Sequence, residues 1–65
     1  MNWDQITGSW KEFQGKVREK WGKFTDDDLT VAAGKRDQLS GILQRRYGLA
    51  KEQAEKELDD FIGAL

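Results

Sequence analysis

The sequence predicts an all-α fold, a compact bundle of four or five short helices, and three observations support that prediction. Apolar side chains recur at intervals of three and four residues through most of the 65-residue chain. The chain contains no proline, and it repeats one pattern of glycine and apolar residues about 26 positions apart. A chain of this length has room for one small core, so we expect residues 1–65 to form a single domain.

The first helical segment is predicted over residues 3–21. Its apolar residues lie three or four positions apart, on one face of a helix: Trp3, Ile6, Trp10, Phe13, Val17 and Trp21. Asn2 and Gln5 have the spacing of a capping box, which is typical of a helix start. Gly22 is placed to end the helix in a left-handed conformation.

Two helices are predicted in the middle of the chain, with a break or kink at Gly34 between them. Thr25 is expected to cap the first, and Asp26–Asp28 place three negative charges in its positive first turn. Gly48 is expected to end the second. Together the two helices carry another apolar stripe: Leu29, Ala32, Leu39, Ile42, Leu43 and Tyr47.

The last helix is predicted to begin near Ala50. Its apolar residues again share one face: Ala50, Ala54, Leu58, Phe61, Ile62 and Leu65. Its polar side is acidic, because residues 49–65 hold two lysines against five Asp or Glu residues. The apolar tail can either close the core or join two chains, and we expect a monomer.

The internal repeat relates two halves of the chain. Its glycines lie seven residues apart in each half: Gly8, Gly15 and Gly22, then Gly34, Gly41 and Gly48. The aligned large residues are Phe13 with Leu39, Val17 with Leu43, and Trp21 with Tyr47. Two similar helical units with short connections favour two helical hairpins packed on each other. Gly22 and Gly48 are interpreted as helix caps, and Gly8 and Gly34 as helix boundaries. The alternative interpretation is that Gly15 and Gly41 offer flat backbone to a partner.

The residue types exclude several classes of function. Without cysteine or histidine, the chain has no disulfide, no thiolate zinc site and no histidine acid–base catalyst. Asp26, Asp28 and Thr30 match part of a calcium loop, but Val31 stands where that loop requires glycine, so helix capping explains the acids better. We therefore expect no catalytic residue, no metal and no cofactor.

The chain also lacks the marks of export and of membrane insertion. Its first residues have neither the basic start nor the apolar stretch of a secretory signal, and its apolar runs are too short to span a bilayer. We expect a cytoplasmic protein. The Trp-rich face of the first helix could lie on a membrane surface, but a core this small needs the same aromatic residues.

A basic flank is the strongest candidate for a contact surface. Lys16, Lys20 and Lys23 share one flank of the first predicted helix, and Lys35 and Arg36 add positive charge elsewhere. Such a surface could hold the phosphates of a nucleic acid. The net charge of −1 and the interleaved acids favour an ordinary solvated face instead. We expect a protein partner or none, with nucleic acid as the alternative.

Six short segments in order carry a family resemblance: Gly8-Ser-Trp-Lys, Gly15-Lys-Val-Arg-Glu-Lys-Trp-Gly-Lys, Thr25-Asp-Asp-Asp-Leu, Gly34-Lys-Arg-Asp-Gln-Leu-Ser-Gly, Gln44-Arg-Arg-Tyr-Gly and Ala54-Glu-Lys-Glu. This set, which spans nearly the whole chain, resembles the CsbD-like family of bacterial stress-response proteins. The resemblance implies two crossed helical hairpins and a role in general stress without a catalytic motif. We therefore expect binding or protection rather than catalysis. Phe24 and Ile42 depart from the family pattern, which usually has Leu and a basic residue there.

Overall fold

Five helices account for most of residues 2–65, the part of the chain that the computed structural model describes. They are α1 (Trp3–Gly8), α2 (Trp10–Lys20), α3 (Asp26–Ala32), α4 (Arg36–Tyr47) and α5 (Lys51–Gly63). The predicted all-α bundle of short helices is confirmed. Helices α1 and α2 form the first repeated unit, α3 and α4 form the second, and α5 packs against α4.

The prediction of one continuous helix over residues 3–21 is wrong, because the chain breaks at Ser9. The interpretation of Gly8 as a helix boundary is confirmed, because α1 ends at Gly8. Ser9 has φ −119° and ψ 42°, so it ends α1 and begins α2. The break lets the indoles of Trp3 and Trp10 meet edge to face, with ring centroids 6.1 Å apart. On one straight helix these residues would lie about 10 Å apart along the axis. Tertiary packing of the two rings therefore overrides the helical periodicity of the segment.

Two predicted helix starts are confirmed as capping boxes. The backbone N–H of Gln5 donates to Asn2 Oδ1 at 2.8 Å, and the backbone N–H of Asn2 donates to Gln5 Oε1 at 3.1 Å. At α3, the backbone N–H of Asp28 donates to Thr25 Oγ1, and that of Thr25 donates to Asp28 Oδ2, both at 3.1 Å. Each box satisfies backbone donors that the first helical turn leaves free.

The predicted helix ends are confirmed at two glycines and wrong at a third. Gly34 and Gly48 both have a left-handed backbone, with φ of 85° and 64°. Gly22 does not, because α2 already ends at Lys20 and Trp21 is extended, with φ −119° and ψ 90°. That early end allows the Trp21 ring to pack on Phe61, with centroids 4.8 Å apart. Ala33 shares the left-handed turn before α4, at φ 30°.

The core lies between the two repeated units and α5. Its buried apolar residues are Ile6, Phe13, Val17, Trp21, Phe24, Leu29, Ala32, Leu39, Ile42, Leu43, Ala54 and Leu58. The aligned pairs of the repeat are core residues in both units, except that Tyr47 is half-buried. Both departures from the family pattern, Phe24 and Ile42, are buried as well.

Indole hydrogen bonds join the two units across the core. Trp3 Nε1 donates to the Gly34 carbonyl at 2.7 Å, and Trp10 Nε1 donates to the Leu29 carbonyl at 3.0 Å. A third hydrogen bond links the second unit to the residues after α2: Tyr47 Oη accepts from the backbone N–H of Lys23 at 3.1 Å. The aromatic residues thus contribute both apolar area and directional contacts.

Candidate interaction surface

An open furrow runs along α2, between its exposed flank and the C-terminal half of α5. Two adjoining depressions form this α2–α5 furrow, and both are lined by Lys16 and Leu65. The first is further lined by Ile6, Ser9, Glu12 and Phe13. The second is further lined by Glu19, Lys20 and Phe61. The furrow therefore combines apolar side chains from three helices with charges from one.

The floor of the furrow is apolar and held in place by aromatic packing. Phe61 lies with its ring centroid 5.7 Å from Phe13 and 4.8 Å from Trp21. Phe13 and Trp21 are buried, whereas Phe61 and Leu65 are half-buried. Phe61 and Leu65 thus leave part of their apolar area exposed to solvent, and the Phe61 ring is held in place by its contacts with the buried rings of Phe13 and Trp21.

The rim of the furrow carries two exposed lysines from α2. Lys16 and Lys20 are one helical turn apart, so their side chains leave the helix on the same flank. Within residues 2–65, neither ammonium group has a carboxylate close enough for an ion pair. Lys20 Nζ lies 5.8 Å from the centroid of the Trp21 ring, which is within the range of a cation–π contact.

Two of the other predicted contact residues lie outside the furrow. Lys23 comes after the end of α2, and its Nζ lies 5.1 Å from the centroid of the Tyr47 ring. Lys35 is exposed at the residue before α4. Neither residue lines the depressions that contain Lys16 and Lys20.

Arg36, the fifth predicted contact residue, joins α4 to α5. Its guanidinium pairs with the carboxylate of Asp59, lies 3.6 Å from a carboxylate oxygen of Glu55, and donates to the Glu55 backbone carbonyl at 3.3 Å. A guanidinium held by these three groups stabilises the fold and offers little to a ligand. Of the five predicted residues, the furrow brings together Lys16 and Lys20.

The acids of the Asp26–Asp28 run form ion pairs and a helix cap. Arg18 Nη1 lies 2.7 Å from Asp26 Oδ1, and Arg46 donates through Nε and Nη2 to the two oxygens of Asp28, both at 3.1 Å. The hydrogen bonds from Arg46 lower the pKa of Asp28 below its ordinary value, and the Thr25 backbone N–H adds to this, while burial opposes it. In residues 2–65, no three Asp or Glu side chains gather as a metal site would require.

Sequence reasoning missed the part that α5 plays in the furrow. The apolar stripe of α5 identified Phe61 and Leu65 as packing residues, and the charge pattern identified Lys16 and Lys20. Nothing local in either segment indicates that the two faces lie side by side. Their juxtaposition depends on the early end of α2 at Lys20 and on the packing of Phe61 between Phe13 and Trp21.

Comparison with known proteins gives consistent matches over most of the chain. A family model described as CsbD-like matches residues 4–56. The chain is 61% identical over 61 residues to the UPF0337 protein YjbJ of Escherichia coli strain K12, covering 94% of this chain and 88% of that protein. It is 66% identical over 58 residues to a UPF0337 protein of Pectobacterium atrosepticum, covering 89% and 84%. A UPF0337 protein of Protochlamydia amoebophila is 61% identical over 61 residues, covering 94% and 92%.

None of the five helices, within residues 2–65, is long and apolar enough to cross a membrane. The longest, α5, has 13 residues, and its outer face carries several carboxylates. A membrane-spanning helix needs about 20 apolar residues.

Proposed function

The chain belongs to the CsbD-like family of bacterial stress-response proteins, and from that premise we propose that it acts by binding another macromolecule rather than by catalysis. The α2–α5 furrow is the contact surface in this proposal. The observation that carries it is the pairing of an apolar floor, Phe61 and Leu65, with two exposed lysines that have no ion-pair partner in residues 2–65.

A protein partner suits the furrow better than a nucleic acid does. Interfaces between proteins combine a partly apolar centre with a polar, charged rim, as the furrow does. Glu12 and Glu19 line the same depressions as the lysines and would repel phosphates. Arg36 and Arg46, which lie outside the furrow, are engaged with Asp59 and Asp28 and so add no free positive charge for a nucleic acid.

The proposal is tested by competition between strains of Escherichia coli that lack their own CsbD-like relative. One strain carries the wild-type chain, one carries Lys16→Gln with Lys20→Gln, and one carries the control pair Lys11→Gln with Lys35→Gln. All three are co-cultured through cycles of stationary phase and hyperosmotic shock. We expect the furrow variant to decline like a strain without the gene, while the control pair, which removes equal charge outside the furrow, holds its share.

Equal competition by all three strains would contradict the proposed site. Glutamine retains a good helix propensity, so both pairs of substitutions should leave the fold intact. Thermal unfolding of the purified variants checks that point.

The nucleic-acid alternative is supported by the spacing of Lys16 and Lys20 and has a test of its own. Tryptophan fluorescence is followed while the purified protein is titrated with mixed DNA and RNA fragments, at low and then physiological salt. A saturable change that salt reverses, and that both lysine pairs weaken alike, would favour diffuse phosphate binding over the furrow. We expect no such change.

A further inference from the structure

We propose that two copies of this chain exchange α1 at high concentration, forming a dimer in which α1 and α2 become one straight helix. The break at Ser9 is the hinge of this exchange. The inference goes beyond the proposed function and does not depend on it. It rests on three features of residues 2–20: the backbone at the hinge, the apolar stripe across it, and the few contacts that hold α1 in place.

The hinge leaves backbone donors without partners. Within residues 2–65, the backbone N–H groups of Trp10, Lys11 and Glu12 donate to no protein group, and the Ser9 side chain does not cap α2. In a continuous helix each of these N–H groups would donate to the carbonyl four residues earlier. The bond from the Ser9 N–H to the Gln5 carbonyl, at 3.1 Å, already has that spacing and would remain. Straightening the hinge therefore adds three backbone hydrogen bonds to each chain.

The apolar stripe fits a straight helix as well as the broken one. Trp3, Ile6, Trp10 and Phe13 are spaced by 3, 4 and 3 residues, so they share one face of a continuous helix. Gly8, just before the hinge, is exposed and would meet no atom within 4 Å if it carried a Cβ. The sequence is thus compatible with both conformations, and the tertiary contacts of α1 select the broken one in the monomer.

Few contacts hold α1 in place. Of residues 2–8, Ile6 alone is buried. The half-buried Trp3 donates to the Gly34 carbonyl at 2.7 Å, and its ring centroid lies 6.1 Å from those of Trp10 and Phe13. A short segment with little buried area opens more readily than the whole domain unfolds. Undocking of α1 then exposes Ile6 and the apolar site beneath it, which water disfavours.

The α1 helix of a second copy is the occupant that fits the vacated site. It carries the same Ile6 and the same indole, so each contact of α1 within one chain is restored between two chains. The dimer also gains the hydrogen bonds of two straightened hinges, against the translational and rotational freedom lost on association. Dimer is therefore favoured as the concentration rises. Because Ile6 lines the α2–α5 furrow, each furrow of the dimer would be completed by the other chain.

The experiment refolds the full-length chain from urea at micromolar and at millimolar concentration. Size-exclusion chromatography with light scattering then gives the mass of the product. We expect monomer from the dilute sample and a dimer from the concentrated one. A dimer refolded from a mixture of two differently isotope-labelled chains should show, by isotope-filtered NMR, contacts between the Trp3 indole of one chain and Gly34 of the other.

Two substitutions at the hinge should shift the equilibrium in opposite directions. Alanine has a higher helix propensity than serine, and Ser9 makes no capping bond, so Ser9→Ala should raise the dimer association constant about fivefold through its two hinges. Proline is tolerated in the first turn of α2, where the Lys11 N–H is free, but it interrupts a helix that continues through this point. Lys11→Pro should therefore abolish the dimer and keep the monomer.

Each variant has a matched control. Gly15→Ala raises helix propensity inside α2, which is helical in both forms, and should leave the dimer association constant unchanged. Lys11→Ala removes the same charge as Lys11→Pro without interrupting the straight helix, and it should keep the dimer.

A chain that stays monomeric at millimolar concentration, as the wild type and as Ser9→Ala, would overturn the inference. So would a dimer that Lys11→Pro retains, or one whose contacts between Trp3 and Gly34 all lie within one chain, because such a dimer forms through another surface. If circular dichroism shows that Lys11→Pro does not fold, the effect of Ser9→Ala and the NMR contacts decide the question. Failure of the exchange leaves the furrow proposal standing, since the competition between strains tests that separately.

Discussion

Gly34 meets two constraints at once, its own backbone conformation and the close approach of Thr7. Its φ is +85°, and an added Cβ would lie 3.0 Å from Thr7 Cγ2. A residue with a side chain pays about 1–2 kcal/mol for a left-handed conformation, and the contact with Thr7 adds to that cost. We therefore expect Gly34→Ala to lower the free energy of unfolding by about 2 kcal/mol, measured by urea denaturation with tryptophan fluorescence.

Gly15 is the matched control, because it occupies the middle of α2 with no atom within 4 Å of an added Cβ. Alanine there should raise the free energy of unfolding by about 1 kcal/mol, the usual difference in helix propensity. Equal effects of the two substitutions would contradict the conformational account of Gly34. A stabilised Gly15→Ala would also show that the fold does not require this glycine.

Asp28 makes the stability of the fold depend on pH in the acid range. Its pKa in the folded chain is lowered from 3.8 by the hydrogen bonds from Arg46, so the folded state binds this proton less readily than the unfolded state does. The stabilisation is therefore present above about pH 4 and is lost as pH falls through the lower, folded pKa. We expect Asp28→Asn to flatten the fall of stability in urea unfolding between about pH 4 and pH 2.

Asp27→Asn serves as the control for that prediction. It removes an equal charge from the same turn of α3, and Asp27 makes no ion pair within residues 2–65. The free energy of unfolding should depend less steeply on pH in Asp28→Asn than in Asp27→Asn. Indistinguishable curves would mean that the ion pair with Arg46 contributes no acid-sensitive stability.

At the scale of elements, the limits of sequence reasoning are visible in α1 and α2. Caps with a local mechanism were predictable, as the boxes at Asn2 and Thr25 and the left-handed ends at Gly34 and Gly48 show. The glycine repeat also indicated the helix boundary at Gly8, although helical periodicity continues through it. The early end at Lys20 was not predictable, because helical periodicity continues to Trp21. Both helix ends follow from where the Trp3 and Trp21 rings pack. Trp3 donates to the Gly34 carbonyl and Trp21 packs on Phe61, and both partners lie far along the chain.

Arg36 fastens the first turn of α4 to the middle of α5. Its planar guanidinium contacts the Glu55 carbonyl and the carboxylates of Glu55 and Asp59 together, a geometry that an ammonium group cannot reproduce. We expect Arg36→Lys to reduce the protection of α5 from amide hydrogen exchange by about fivefold, equivalent to about 1 kcal/mol. Arg45→Lys, at an exposed position of the same helix without an ion pair in residues 2–65, should leave α5 protection unchanged.

At the scale of the whole molecule, the sequence predicted the two sides of the α2–α5 furrow separately but not their contact. The charge pattern identified Lys16 and Lys20, and the apolar stripe of α5 identified Phe61 and Leu65, yet their meeting in one furrow is a property of the packed bundle. For Arg36 the prediction named a residue that is not free: its charge suggested a contact with a partner, but its guanidinium pairs with carboxylates of α5. A sequence shows which residues are charged, whereas the tertiary structure decides whether a charged side chain is free to contact a partner.

One connected set of aromatic rings joins the first repeated unit to α5. Trp3 and Trp10 contact Phe13, Phe13 contacts Phe61, and Phe61 contacts Trp21, which in turn contacts Phe24. These rings come from α1, α2, the α2–α3 connection and α5. The indoles of Trp3 and Trp10 also donate to the backbone carbonyls of Gly34 and Leu29 in the second unit, and the buried residues of both units and α5 form one core. Because the core has so few buried residues, we expect neither repeated unit to remain folded when the Trp21 ring is removed.

Trp21 tests that expectation. A domain of this length is stable by roughly 3–10 kcal/mol, and removal of a buried Trp side chain costs about 3–5 kcal/mol. We therefore expect Trp21→Ala to lose most of its helical circular dichroism in a single transition near or below room temperature, while Trp21→Phe keeps a cooperative transition at a reduced temperature. Unchanged unfolding of Trp21→Ala would contradict the core assignment. If Trp21→Ala lost only part of its helical circular dichroism, the two repeated units would fold independently. The aromatic core would then not couple the folding of one unit to that of the other.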